Sequence, residues 1–111
     1  MSTDDEDDLI FKALAHRVRR RILDHLKQAP HTTGSLVAAF PEIDRCTVMQ
    51  HLDVLEEAGL VVAERRGRER HNHLDALPIQ RIHTRWIGPY AALAAERLAM
   101  LKKDIESRPA N

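Results

Sequence analysis

The sequence predicts a mainly α domain closed by a single β-hairpin. Three observations carry this. Aromatic residues are only 4% of the 111, with Gly at 4 and Pro at 5, too few of each for an all-β sandwich. Apolar residues recur at spacings of three and four over most of the chain. One stretch after residue 60 breaks that rhythm and alternates instead. The apolar fraction of 43% supports a real core, and a chain this long holds one core better than two.

The elements follow in order. Residues 1–8, with Asp4, Asp5, Glu6, Asp7 and Asp8, read as a disordered acidic tail, and the folded domain is placed at 9–107. Carboxylates so placed also favour a following helix N-terminus. Leu9, Ile10, Ala13 and Leu14 predict a first helix over about 8–15. Val18, Ile22, Leu23 and Leu26 predict a second over about 17–28, stopped by Pro30. Thr32 or Thr33 caps a short third helix carrying Leu36, Val37 and Phe40, ended by Pro41. Asp44 opens a fourth over about 45–58, with Val48, Leu52 and Leu55 on one stripe. Gly59 stands where a helix end takes a left-handed residue.

Leu60-Val61-Val62-Ala63 then begins a hairpin over about 60–75, turning at Arg66-Gly67-Arg68. Pro78 suits the first turn of a last helical stretch, about 78–107. Its stripe is Ile79, Ile82, Trp86, Tyr90, Leu93, Leu98, Leu101 and Ile105. Gly88-Pro89 interrupts it, so a kink or two helices is expected. Four helices, a hairpin and a terminal helix are the plan of a winged helix-turn-helix.

The functional reading starts from charge. The 17 basic and 17 acidic residues cancel, but they are unevenly spread. Arg17, Arg19, Arg20 and Arg21 crowd the second helix, and Arg65, Arg66, Arg68 and Arg70 crowd the hairpin tip. Local patches, not the total, attract a polyanion; a solvated charged surface is the bland alternative. In a helix-turn-helix the second helix enters the major groove. Rotated by its core stripe, the helix at 45–58 points Cys46, Thr47, Gln50 and Asp53 outward, with Arg45 and Met49 on the flanks and His51 beside the core. Gln50 suits adenine, Arg45 guanine or phosphate, and Thr47 or Met49 a thymine methyl. The hairpin arginines suit phosphate or the minor groove. The expected DNA-binding set is therefore Arg45, Thr47, Met49, Gln50, His51, Arg65, Arg66, Arg68 and Arg70.

Other classes are weaker. Ser35 sits in no Gly-x-Ser-x-Gly elbow and no phosphate-binding glycine loop is present, so an enzyme is not expected. One cysteine, Cys46, excludes a disulfide framework within the chain, and with no apolar run of membrane length and no signal peptide a cytoplasmic protein is expected. His71, His73 and His83 lack a clear fourth ligand, so no metal and no cofactor are expected. Cys46, in the first turn of its helix, leaves a thiol-responsive protein as an alternative. A winged helix used purely for protein interaction is another, but it gives the arginine-rich tip no role.

Ala13-Leu14-Ala15-His16, Arg19 to Leu23, the run Thr47 to Val61 with His51-Leu52 and Ala58-Gly59-Leu60, and Arg65-Arg66-Gly67-Arg68 together resemble the ArsR/SmtB family over about residues 9–105. The resemblance implies a winged helix-turn-helix transcriptional repressor, dimeric through its first and last helices. Leu9, Ile10, Ile82, Trp86, Tyr90, Leu93, Leu98 and Leu101 are the expected interface; the alternative for Trp86 and Tyr90 is a pocket for a small-molecule effector. The partners implied are an operator in double-stranded DNA and a second copy of the chain, with no membrane. The departures matter as well. Metal-sensing members carry a Cys-x-Cys pair in the third helix, where this chain has Thr32, Thr33, Gly34, Ser35 and Leu36. Zinc-sensing members carry two histidines in the last helix, where this chain has only His83. A non-metal-sensing branch is implied, and a thiol- or metal-responsive repressor of the same fold is the alternative.

Overall fold

The computed structural model describes residues 2–88 and 90–109. The elements are α1 (Thr3–Leu14), α2 (Arg17–Gln28), β1 (His31–Thr32), α3 (Thr33–Ala39), α4 (Arg45–Glu57), β2 (Val61–Arg66), β3 (Glu69–Leu74), α5 (Leu77–Trp86) and α6 (Ala91–Glu106). The chain forms two compact units, residues 1–80 and 81–111. The core lies in the first. It gathers Ile10 and Ala13 from α1, Ile22, Leu23 and Leu26 from α2, Leu36 from α3, and Val48, Leu52 and Leu55 from α4, closed by Leu60 and Val61. Each large aliphatic side chain so buried contributes about 1.5–3 kcal/mol. The second unit buries no described residue.

Residues 3–8 are not a tail. Helix α1 starts at Thr3, with the Ser2 hydroxyl accepting from the Asp5 N–H at 3.2 Å. Asp4, Asp5 and Glu6 form its first turn, where their charge complements the free N–H groups. Asp7 is buried with Ile10 and Ala13, on a three-residue repeat. The acidic run is thus the opening of the helix that the sequence places only from residue 8.

Local signals elsewhere set the boundaries. The Thr32 hydroxyl caps α3 through the Ser35 N–H. Asp44 caps α4, its Oδ1 accepting from the Thr47 N–H at 2.7 Å, and that bond holds the carboxyl below its usual range. At the other end Gly59 has φ +78. Its N–H reaches the Glu56 carbonyl and the Leu60 N–H the Leu55 carbonyl, both at 2.9 Å. This double closure, with Leu55 and Leu60 both fully buried, is the Schellman arrangement. It turns the chain sharply from α4 into the wing.

Strands β2 and β3 pair antiparallel with Arg66 opposite Glu69. The turn is therefore Gly67-Arg68, and among the described residues only glycines have positive φ, Gly67 at +62. That is a type II′ hairpin, which needs glycine first. Strand β1 adds to the outer edge of β3, giving the order β1-β3-β2, with His31 opposite Asn72. Two residues are too short to show an alternation, so β1 left no sequence signal. The last stretch is two helices, α5 and α6, rather than one; Gly88 lies in the break at φ +65, and Pro89 lies outside the described residues.

Candidate nucleic-acid interface

Helix α3, the turn at residues 40–44 and helix α4 form the helix-turn-helix. Phe40 anchors the turn: it is buried, its carbonyl accepts from the Ile43 N–H at 3.0 Å, and its ring meets the His25 ring edge-on at 5.5 Å. With Val48, Leu52 and Leu55 inward, Arg45, Cys46, Met49, Gln50 and Asp53 of α4 are exposed and Thr47 is half-buried. Successive strand residues face opposite ways. Val61, Ala63 and Arg65 thus share the inner face with Leu74, Asn72 and Arg70, while Val62, Glu64 and Arg66 share the outer face with His73, His71 and Glu69.

The start of α3, the first turns of α4 and the wing tip enclose a cleft of about 240 Å³, with Arg45, Met49, Arg65, Arg68 and Arg70 in its wall. Of these, the side chains of Arg45, Arg65 and Arg68 make no ion pair or hydrogen bond among the described residues. A basic rim around an exposed methionine suits phosphate at the edge and an apolar base contact between. On the outer face, Arg66 pairs with Glu64 at 2.9 Å, so its charge is partly answered. Glu64 also takes a hydrogen bond from His73 at 3.2 Å, and His73, then Arg66, hold its carboxyl below the usual range. His71 is half-buried. Among the described residues no three His, Cys, Asp or Glu side chains gather as a metal cage.

Two residues of the expected DNA-binding set are engaged elsewhere. His51 is 9% exposed and faces α2, not the groove side. Its Nδ1 accepts from Arg19 Nη1 at 3.2 Å, and its ring lies 4.4 Å from that of His16. At that rotation beside the core, packing decides its partner. Arg70 is 12% exposed at its side chain and is held by Glu56 at 2.9 Å and Asp53 at 3.6 Å. A guanidinium committed to two carboxylates is not presented to phosphate. Neither role in DNA contact is retained.

The sequence reading also missed what binds these helices together. Arg19 donates through Nε to the Ala13 carbonyl at 2.8 Å and through Nη2 to the Lys12 carbonyl at 2.9 Å, while Arg20 reaches the Leu14 carbonyl at 2.7 Å. These cations close the C-terminus of α1, where carbonyls are free and the dipole is negative. Half of the basic patch on α2 is therefore structural. Asn72, fully buried, donates to the His31 carbonyl and the Thr33 hydroxyl, tying the wing to β1 and α3. An amide at an inward strand position was the available signal, since a buried polar group needs a partner.

The His51 contact has a pH consequence. Arginine only donates, so the accepting Nδ1 must be unprotonated. Burial foremost, then the charges of His16 and Arg19, lower the His51 pKa below its ordinary value. A lowered imidazole pKa means the unfolded chain binds the extra proton more readily. The stabilisation is complete above about pH 6.5 and is lost as pH falls through the folded-state value, at no more than about 1.4 kcal/mol per pH unit. Urea unfolding from pH 7.5 to 5 is expected to show a weaker pH dependence in His51→Leu than in the wild type. Equal pH dependence in the two proteins would rule this out.

A family described as a helix-turn-helix domain matches residues 14–64. The uncharacterized transcriptional regulator YuzN of Bacillus subtilis is 36% identical over 86 residues, covering 72% of this chain and 94% of the relative. The transcriptional repressor SdpR of the same organism is 31% identical over 71 residues, covering 64% and 78%. An ArsR-like regulator from Rhodococcus sp. RHA1 superposes with a TM-score of 0.69 at 29% identity, over 98% of this chain and all of that one. The family match and these relatives place the chain among helix-turn-helix transcriptional regulators rather than enzymes. The chain belongs to the ArsR family of winged helix-turn-helix regulators.

Proposed function

We propose that the chain is a repressor that binds a palindromic operator as a homodimer in the cytoplasm, without a resident cofactor. The observation that carries this is the cleft at the meeting of α4 and the wing, where Arg45, Arg65 and Arg68 have no partner among the described residues and stand beside the exposed Met49. Gln50 and Thr47 read base edges, Arg45 takes guanine or phosphate, and Arg65, Arg66 and Arg68 follow the backbone. A pure protein-interaction module gives these three arginines nothing to meet. The second copy is supported by apolar exposure in α5 and α6. Trp86, Tyr90, Leu93, Leu98 and Leu101 are each at least 46% exposed, more apolar surface than a monomer usually leaves uncovered. Ile82 is half-buried and Leu9 likewise. Ile10, at 1% exposed, belongs to the chain's own core and leaves the interface set. The repressor reading is supported by the likeness to SdpR.

The test is selection of bound fragments from random DNA, followed by footprinting. Two inverted half-sites about 34 Å apart are expected, one helical turn. Gln50→Ala is expected to relax base preference at one position in each half, a loss of about 1–3 kcal/mol of discrimination. A single asymmetric site occupied by a monomer, or unchanged preference in Gln50→Ala, would overturn the reading.

A further inference from the structure

Arg70 starts on β3 and ends on the recognition helix. Its Nη2 lies 2.9 Å from Glu56 Oε2 and its Nη1 3.6 Å from Asp53 Oδ1. Both carboxylates are themselves largely exposed, at 69% of the side chain for Asp53 and 48% for Glu56, whereas Arg70 is 12% exposed. Its Nε is sealed from solvent. Directly across the hairpin stands Arg65, and two like charges facing each other on one sheet face repel. The carboxylates of α4 offset that repulsion for Arg70 and leave Arg65 on the rim of the cleft. The same contact cancels charge that would otherwise stand beside the DNA, since Asp53 and Glu56 are acidic residues on the reading helix. The wing has few other ties to that helix near the tip, where both strands are exposed.

Resting on the DNA-binding reading above, we propose that Arg70 is a positioning residue: it sets the angle of the wing against α4 and neutralises Asp53 and Glu56, without touching DNA. A phosphate ligand and a positioning residue make opposite predictions when the carboxylates are removed. A ligand released from two competing acids binds DNA better. A brace without its anchors leaves the wing loose, and binding falls. Asp53 and Glu56 are exposed, so their removal leaves the core intact.

Operator affinity and its salt dependence are measured for the full chain and its variants by fluorescence anisotropy. Asp53→Ala/Glu56→Ala is expected to bind about tenfold more weakly, although it carries fewer negative charges. Tighter binding by this variant overturns the proposal. Arg70→Gln is expected to bind more weakly with the salt slope of the wild type, whereas removal of a phosphate ligand from each half of a dimer would lower the slope by about 1.8; such a drop overturns the proposal. The exchanged pair Arg70→Glu/Glu56→Arg is expected to recover most of the affinity that Arg70→Glu alone forfeits. Absence of recovery, with the exchanged pair folded by circular dichroism, overturns it. Failure of the wild type to bind any selected DNA defeats the DNA-binding reading itself, and is seen in the wild-type arm before a variant is compared.

Discussion

Arg65→Ala/Arg68→Ala is expected to bind the operator about a thousandfold more weakly at physiological salt, and to lower the salt slope by about 3.6, since four phosphates per dimer are no longer neutralised. The size follows from counterion release: each neutralised phosphate frees condensed cations, and that gain disappears with the arginine. These two side chains are chosen because both line the cleft and neither has a partner among the described residues. Their removal leaves no buried group unpaired. Both are exposed, and the turn depends on Gly67 rather than on them, so thermal stability should shift by no more than about 0.5 kcal/mol. Arg66→Ala is the internal control. Paired with Glu64 at 2.9 Å on the outer face, Arg66 contributes less net attraction, and its loss should cost less than that of either inner arginine. Unchanged affinity and slope in the double variant would remove the wing from the mechanism.

How much of this was legible in the sequence depends on what each feature rests on. Helices α2, α3 and α4 and the hairpin follow from periodicity and local stop signals: Pro30, the Asp44 cap, Gly59, Gly67. Those signals act within a few residues, so a sequence displays them. The start of α1 was lost because an acidic run reads equally as a solvated tail or as a first helical turn. Burial of Asp7 with Ile10 and Ala13, which depends on the rest of the fold, decides between the two. The exposure of Arg45, Met49 and Gln50 was legible because rotation about the core stripe fixes their direction. His51 and Arg70 were misassigned because their partners, Arg19 and Glu56, lie 32 and 14 residues away. A composition argument counts every arginine of a cluster as available. Geometry divides them into Arg19, Arg20 and Arg70, committed to the protein, and Arg45, Arg65 and Arg68, which are not.

If the chain dimerises as proposed, placing a charge at Leu98 is expected to convert it into a monomer and to weaken operator binding by about a hundred- to ten-thousandfold. Helix α6 carries Leu98, Leu101 and Ile105 on one stripe, each about half exposed, with Ala91, Ala94 and Ala95 continuing it toward the start of the helix. Trp86, Ile87 and these alanines border an open apolar cleft of about 540 Å³. Small side chains beside large ones let a second helix approach closely and fill that space. None of these residues is buried in its own chain, so a substitution there removes little of the protomer's own packing, and the first unit keeps its core. In a dimer interface, by contrast, an unpaired charge is desolvated at a cost of several kcal/mol. The loss of affinity then follows from linkage. Once one recognition helix is docked, the second half-site is reached at high effective concentration, and uncoupling the two forfeits a factor of about 10² to 10⁴. Leu98→Asp and Leu98→Lys should behave alike, which separates loss of the dimer from simple repulsion of DNA. Sedimentation equilibrium should return the 12.7 kDa of one chain for both variants and about twice that mass for the wild type. Each variant should still bind DNA weakly and with a shallower salt slope, through the cleft that one protomer retains. Charged variants that sediment as dimers would place the interface elsewhere, and variants that are monomeric yet bind the operator as tightly as the wild type would show that the second copy is dispensable for recognition.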